Sequence, residues 1–363
     1  MGNRSKAASG KRIRGTNRKD FLEGGEGNDT IFGLAGDDLL AGGADPGSGI
    51  KKNYRSGNDI LLGGSGNDFL VGDTDPLFPG FKQDVGKDRL LGGSGNDTLD
   101  GGRGVDKMFG GKGSDLLSGY DSEDRDDKDI MRGGPGDDIY EVRSSKDQTI
   151  EKVNQGIDTV SLEGKRSGSW TLGANIENLY IGVEANPNIV GAFKGTGNEL
   201  DNIIIGSSNI DFLQGLGGND LLSGGAGEDT LSGGDGVDRF LFADDLRELA
   251  QLGTDTITDF VQGIDKIALK PRTFAALTTG VGQGITTEFA SVADDLQVEA
   301  ASAVIVFSRA SQTLFYNQNG SAVGLGSGSK FAILTGVADL SATDFEMVEN
   351  SIAAYPKAGT RLG

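Results

Sequence analysis

Residues 92–118 read GGSGNDTLD-GGRGVDKMF-GGKGSDLLS, one nine-residue phrase three times over. Glycine holds positions one, two and four, aspartate position six and a large apolar residue position eight. Glycine tolerates positive φ and close backbone approach, so GGxGx bends tightly with its carbonyls free to point inward. The last three residues alternate as a short strand does, with position eight facing inside. One phrase is a turn and a strand that reverse the chain once. Two phrases make a complete coil, and coils stack as a parallel solenoid, expected to be right-handed.

The phrase extends well beyond this stretch. Its starts run from Gly15 through Gly24, Gly33, Gly42, Gly63, Gly72, Gly92, Gly101, Gly110 and Gly119 to Gly133. Position six then reads Asp20, Asp29, Asp38, Asp59, Asp68, Asp88, Asp97, Asp106, Asp115, Asp129 and Asp138. A second array, Gly197 to Leu241, carries Asn202 and then Asp211, Asp220, Asp229 and Asp238 in the same slot. A flexible glycine-rich linker has no reason to keep a large apolar residue at position eight.

Composition agrees with a chain held by something other than a conventional core. Glycine is 62 of 363 residues, against about 7% in average proteins, and hydrophobic residues reach only 36%. There are 54 acidic and 34 basic side chains, for a net charge of -20. Seven of the basic residues precede the first acid, Asp20. The body is therefore strongly acidic, which disfavours nucleic acid or an anionic membrane as partner and favours cations. The basic segment 1–14 reads as a disordered arm, with a polyanion contact as the other reading. Cysteine and histidine are absent, which removes disulfides, thiolate nucleophiles, HExxH zinc sites and Ser-His-Asp triads. The N-terminus lacks the apolar stretch of a secretory signal peptide, and no run is long and apolar enough for a membrane helix.

Apolar burial of two large side chains per coil cannot offset the ordering of so glycine-rich a backbone. Stacking also brings aspartates about 5 Å apart, where two charges repel by about 3 kcal/mol at an effective dielectric of 20. A cation between stacked turns converts that repulsion into attraction. Carboxylates and carbonyls specify a hard ion, and flexible all-oxygen coordination favours Ca2+ over magnesium. The recurring aspartates thus read as metal ligands.

The phrase resembles the GGxGxDxUx nonapeptide of the RTX (repeats-in-toxin) hemolysin-type calcium-binding repeat family. The resemblance implies multiple calcium ions held by sixth-position aspartates and turn carbonyls between alternate repeats. It assigns metal-ligand roles to Asp29, Asp38, Asp59, Asp68, Asp88, Asp97, Asp106, Asp115, Asp129, Asp138, Asp211, Asp220, Asp229 and Asp238. Asn202 is neutral, and Asp20 lies in a turn without the glycine pair, so those two depart from the pattern. Rival motifs fail. DSEDRDDKDIMRG, residues 121–133, lacks the glycine and glutamate of an EF-hand, and Gly111-Lys112 is followed by Gly113 rather than Ser or Thr.

Three phrases are interrupted before their aspartate, by ADPGSGIKKNYRS, DTDPLFPGFKQDV and YDSEDRDDK. These are the fourth, sixth and tenth phrases, so all three loops belong to one side of the solenoid. Tyr54, Leu77, Phe78 and Phe81 could cluster there as a recognition patch for a polysaccharide or cell surface. The alternative is that insertions are simply tolerated at exposed turns.

The expected fold is all-β, a right-handed parallel β-roll or β-helix solenoid with a C-terminal β-rich cap. The first roll is 15–141, a β-helical continuation without calcium phrases is 142–196, and the second roll is 197–241. The cap and a possible secretion region occupy 242–350, before a tail at 351–363. AVIVFSRASQTLFYN, 303–317, reads as a hairpin, KFAILTG as a strand, and Trp170 as a core residue. LSATDFEMV, 340–348, resembles the type I secretion ending of the family, although fifteen residues follow it. Two functions compete. One is a noncatalytic, secreted calcium-binding protein, such as a surface, matrix or adhesin-like component. The other is an accessory or C-terminal module of an RTX enzyme (protease, lipase or alginate epimerase). The first is favoured because the roll begins at residue 15 and histidine is missing.

Overall fold

The computed structural model describes residues 4–6, 10–25, 27–43, 57–73, 86–119, 127–162, 168–182, 191–242 and 253–349, except 321, 323 and 327. These fall into two compact units, the first formed by residues up to 162 with 173–176, the second by 168–172 and 177–349. Regular structure in both is almost entirely short strands.

In the first unit two parallel sheets alternate along the chain. One stacks Phe21–Glu23, Leu39–Ala41, Phe69–Val71, Thr98–Asp100, Leu116–Ser118, Ile139–Val142 and Thr159–Leu162. The other stacks Arg12–Arg14, Thr30–Ala35, Ile60–Ser65, Arg89–Ser94, Lys107–Lys112, Ile130–Arg132 and Gln148–Thr149. Position eight is in register from coil to coil. Leu22, Leu40, Leu70, Leu99, Leu117, Tyr140 and Val160 form one column. Ile13, Ile31, Leu61, Leu90, Met108 and Met131 form the other. Every one of these side chains is buried. Truncating such a fully enclosed leucine to alanine typically costs about 2–5 kcal/mol.

The expected disordered arm is instead partly ordered. Arg4–Lys6 pairs with Phe21–Glu23, and Arg12–Arg14 with Thr30–Phe32. Ile13 occupies the inward slot one phrase before Gly15, so the column begins earlier than the glycines announce. The backbone can enter the ladder without GGxG wherever an apolar residue fills that slot.

The second unit repeats the plan. Asn178–Ile181, Ile203–Ile205, Leu221–Ser223, Arg239–Phe242, Lys266–Leu269 and Phe345–Met347 form one parallel stack. Ser169–Thr171, Phe193–Thr196, Asp211–Gly217, Thr230–Asp235 and Asp255–Ile257 form the other. The expected hairpin is present, with Ile305–Ser308 antiparallel to Thr313–Tyr316. Lys330–Leu334 pairs with that hairpin and, in parallel, with Asp255–Ile257. Phe274, Tyr316, Phe331 and Phe242 meet edge-to-face beneath this cap. Trp170 is buried as expected. The 340–348 segment is part of the fold, with Phe345–Met347 laid along Ile267–Leu269. Tyr54, Leu77, Phe78 and Phe81 and the tail 351–363 lie outside the described residues.

Candidate metal centres

The sixth-position aspartates form two ladders in the first unit. In one, the backbone N–H of Asp20, Asp38, Asp68, Asp97 and Asp115 donates to Oδ1 of the next aspartate, ending at Asp138, at 2.7–2.8 Å. In the other, Lys11, Asp29, Asp59, Asp88 and Asp106 donate in turn, ending at Asp129, at 2.6–2.8 Å. Asp59, Asp88 and Asp129 all stand in the second ladder, so the three interrupted phrases do share one side. In the second unit Asp211 donates to Asp229, and Asn202 and Asp220 donate to Asp220 and Asp238, at 2.7–2.9 Å.

Each rung therefore uses one carboxylate oxygen and leaves the other. Oδ2 is buried without a hydrogen-bond partner in thirteen of the fourteen expected ligands, all except Asp211. Such a group is expensive to leave alone, and a buried charge more so. The atom rests over the first glycine of its own phrase, and for Asp29, Asp38, Asp59, Asp68, Asp88, Asp97 and Asp220 a glycine carbonyl of the next coil lies beside the same spot. A Cβ on Gly24 would lie 2.6 Å from both Asp29 Oδ2 and Gly42 O. The first glycine thus clears a cradle bounded by one carboxylate and one carbonyl oxygen. Positive φ at the second position is enforced even on leucine, at 91° for Leu34 and 84° for Leu216. An all-oxygen set with orphaned, buried carboxylate atoms fits Ca2+. These thirteen aspartates would hold it, joined at seven of them by the first-glycine carbonyl of the next coil.

At three turns whose second glycine is replaced, by Thr16, Ser207 and Asn198, the turn satisfies itself. Thr16 N–H and Ser207 N–H each donate to Oδ2 of Asp20 and Asp211 at 2.5 Å. Asn198 N–H donates to Asn202 Oδ1 at 2.8 Å. Asp211 differs in this from the other expected ligands.

The ladders also run past the phrases. Asp129 and Asp138 donate to Asp147 and Asp158 at 3.0 and 2.9 Å, inside the segment expected to lack calcium phrases. Asp229 and Asp238 donate to Asp255 and Asp265 at 3.2 and 3.0 Å. Asp158, Asp255 and Asp265 belong to GIDTV, GTDTI and GIDKI, the second half of the phrase without its opening glycines. That half-phrase is the signal that could have found them. Asp147 has none. Both arrays then close on an acid. Glu151 Oε1 accepts Gly133 N–H and Gly134 N–H at 2.9 and 3.0 Å. Asp259 accepts Gly233 N–H and Gly234 N–H, both at 3.0 Å. Each carboxylate takes the place that carbonyls of the next coil fill at earlier turns, where Gly24 and Gly25 N–H donate to Ala41 O and Gly42 O.

Without metal, the ladders resist ionisation. Burial, opposed by the ladder N–H and reinforced by neighbouring aspartates, pushes Asp97 up to about 6 and Asp59 and Asp115 to about 7. Asp106 reaches about 10, from burial and then the charges of Asp88 and Asp129. Burial with its neighbours likewise raises Asp88, Asp229 and Asp255.

Residues 14–46, 55–75, 84–117 and 196–240 match the RTX calcium-binding nonapeptide repeat in four copies. A 78-residue stretch, 22% of the chain, is 44% identical to the endo-1,3-1,4-beta-glycanase ExsH of Rhizobium meliloti (strain 1021) and spans 14% of that enzyme. The solution structure of the AlgE6R3 subunit from the Azotobacter vinelandii mannuronan C5-epimerase aligns over 50% of this chain and 91% of its own, with 29% identity and a TM-score of 0.29. Strand register and repeat match, rather than that superposition, carry the fold. Over the four matched segments the chain carries RTX calcium-binding nonapeptide repeats, and it binds calcium ions at multiple sites.

Proposed function

We propose that this chain is a secreted, extracellular RTX protein without catalysis of its own, whose rolls fold when calcium binds outside the cell. It serves there as a surface, matrix or adhesin-like component. The observation that carries this reading is the row of buried Oδ2 atoms, which have no hydrogen-bond partner and no cation to offset their charge once they ionise. Scarce cytosolic calcium leaves such a chain extended, suited to export through a type I channel, and millimolar calcium outside closes it. The loops of the interrupted phrases offer the place for a polysaccharide or envelope ligand.

The test is far-UV circular dichroism of the purified chain at neutral pH. Chelation should replace the β-signal by a coil signal, and restored calcium should reverse it. An unchanged spectrum and melting temperature in chelator would refute the reading.

The glycanase match favours a second one, that the chain is a module of a carbohydrate-active RTX enzyme. Calcium-loaded protein that releases reducing ends from a 1,3-1,4-β-glucan would establish that and discard the noncatalytic proposal.

A further inference from the structure

Asp73 stands at the second position of its phrase, where the repeat has glycine. It is buried, and its Oδ2 accepts Gly86 N–H at 2.8 Å, which ties together the two ends of that phrase's interruption. Beside it lie Asp59 and Asp88, successive rungs, 1% and 2% exposed. One carboxylate oxygen from each of the three falls within 4.8 Å of the other two. The Oδ1 atoms of Asp59 and Asp88 accept ladder N–H groups at 2.6 and 2.7 Å, while their Oδ2 atoms are buried without a partner.

Closing the turn does not require a charge. A neutral asparagine would accept the Gly86 N–H as well, and a third carboxylate repels the two already there. The cluster at Asp138, Glu151 and Asp158 differs, because its Glu151 Oε1 already takes the N–H of Gly133 and Gly134 and the Tyr140 hydroxyl. We propose that Asp59, Asp73 and Asp88 form a three-carboxylate calcium site that binds more tightly than the two-aspartate rungs and fills first. The proposal rests on the calcium reading of the repeats. Calcium affinity rises with the number of charged ligands. Early filling also fixes the rung whose closure spans an inserted segment, where chain entropy resists most.

The test is calorimetric titration of the calcium-free full chain with calcium chloride, followed in parallel by circular dichroism. The wild type should show a tight phase before a broad weaker one. Asp73→Asn, which keeps an oxygen for Gly86 N–H, should weaken the tight phase by at least about tenfold. It should leave the weaker phase and the saturated spectrum intact. Asp73→Gly, which restores the repeat consensus, should do the same and guards against a folding defect of the asparagine variant. A wild-type titration with one class of sites, or an undiminished tight phase in Asp73→Asn, overturns the proposal and leaves the family reading standing. A wild type with neither heat nor spectral change overturns both.

Discussion

A sixth-position aspartate has two oxygens with opposite fates. Oδ1 accepts the N–H of the preceding rung and fixes the side chain, while Oδ2 is shut away over a glycine with nothing to bond. The pH dependence of the metal-free protein follows from that second atom. In the unfolded chain these acids titrate near 4. In the roll, burial raises Asp97 to about 6, Asp115 to about 7 and Asp106 to about 10. A carboxyl with a raised folded pKa supports the roll only while protonated. Its contribution is complete below about pH 4 and is lost as pH climbs through the folded value. Calcium-free protein should therefore show β-structure near pH 4 and lose it progressively as pH climbs from about 6 to about 10. Saturating calcium should abolish that loss. Circular dichroism across the range checks it, and a calcium-free spectrum independent of pH would contradict it.

The turn decides which aspartates are left with a lone oxygen. With glycine second, Oδ2 is orphaned; with Ser207 there, the serine N–H takes it. Ser207→Gly should therefore add about one calcium equivalent per chain, because it frees an oxygen that affinity follows. It should also loosen the metal-free turn by about 0.5–1 kcal/mol through added backbone freedom. Equilibrium dialysis measures the first effect, and an unchanged stoichiometry would show that Asp211 does not answer to its turn. This scale also sets what was legible in the sequence. Positions six and eight were readable because one register carries both the columns and the ladders. Asp158, Asp255 and Asp265 were not, because their phrases have lost the opening glycines while keeping GxDxU. Ile13 was hidden among basic residues, and Asp73 looked like part of an insertion. Only folding brings Asp73 back against Asp59 and Asp88, so spacing along the chain could not announce it.

For the whole molecule the governing quantity is a net charge of -20 with 54 acids, many of them stacked. Calcium can act on this in two ways, by screening charge or by occupying oxygen cradles. Monovalent salt separates them. At molar ionic strength the Debye length falls to about 3 Å and distant repulsion disappears, but buried pairs are screened far less. The calcium-free chain at pH 8 should thus scatter X-rays as an expanded coil, with a radius of gyration on the order of 70 Å. Molar sodium chloride should contract it only partly, and millimolar calcium should compact it fully. Full compaction by sodium chloride alone would mean that screening rather than coordination closes the rolls.

The two terminal acids have a consequence for self-association. A rolled sheet that simply stopped would offer a row of bare amides on which another copy could dock and extend into a fibril. Glu151 and Asp259 occupy those amides at Gly133–Gly134 and Gly233–Gly234. Each acid thus removes from docking the amides that the last glycine turn would otherwise present, while the strands run on past it to Gln148–Thr149 and, in the second unit, through Asp255–Ile257 to Lys330–Leu334.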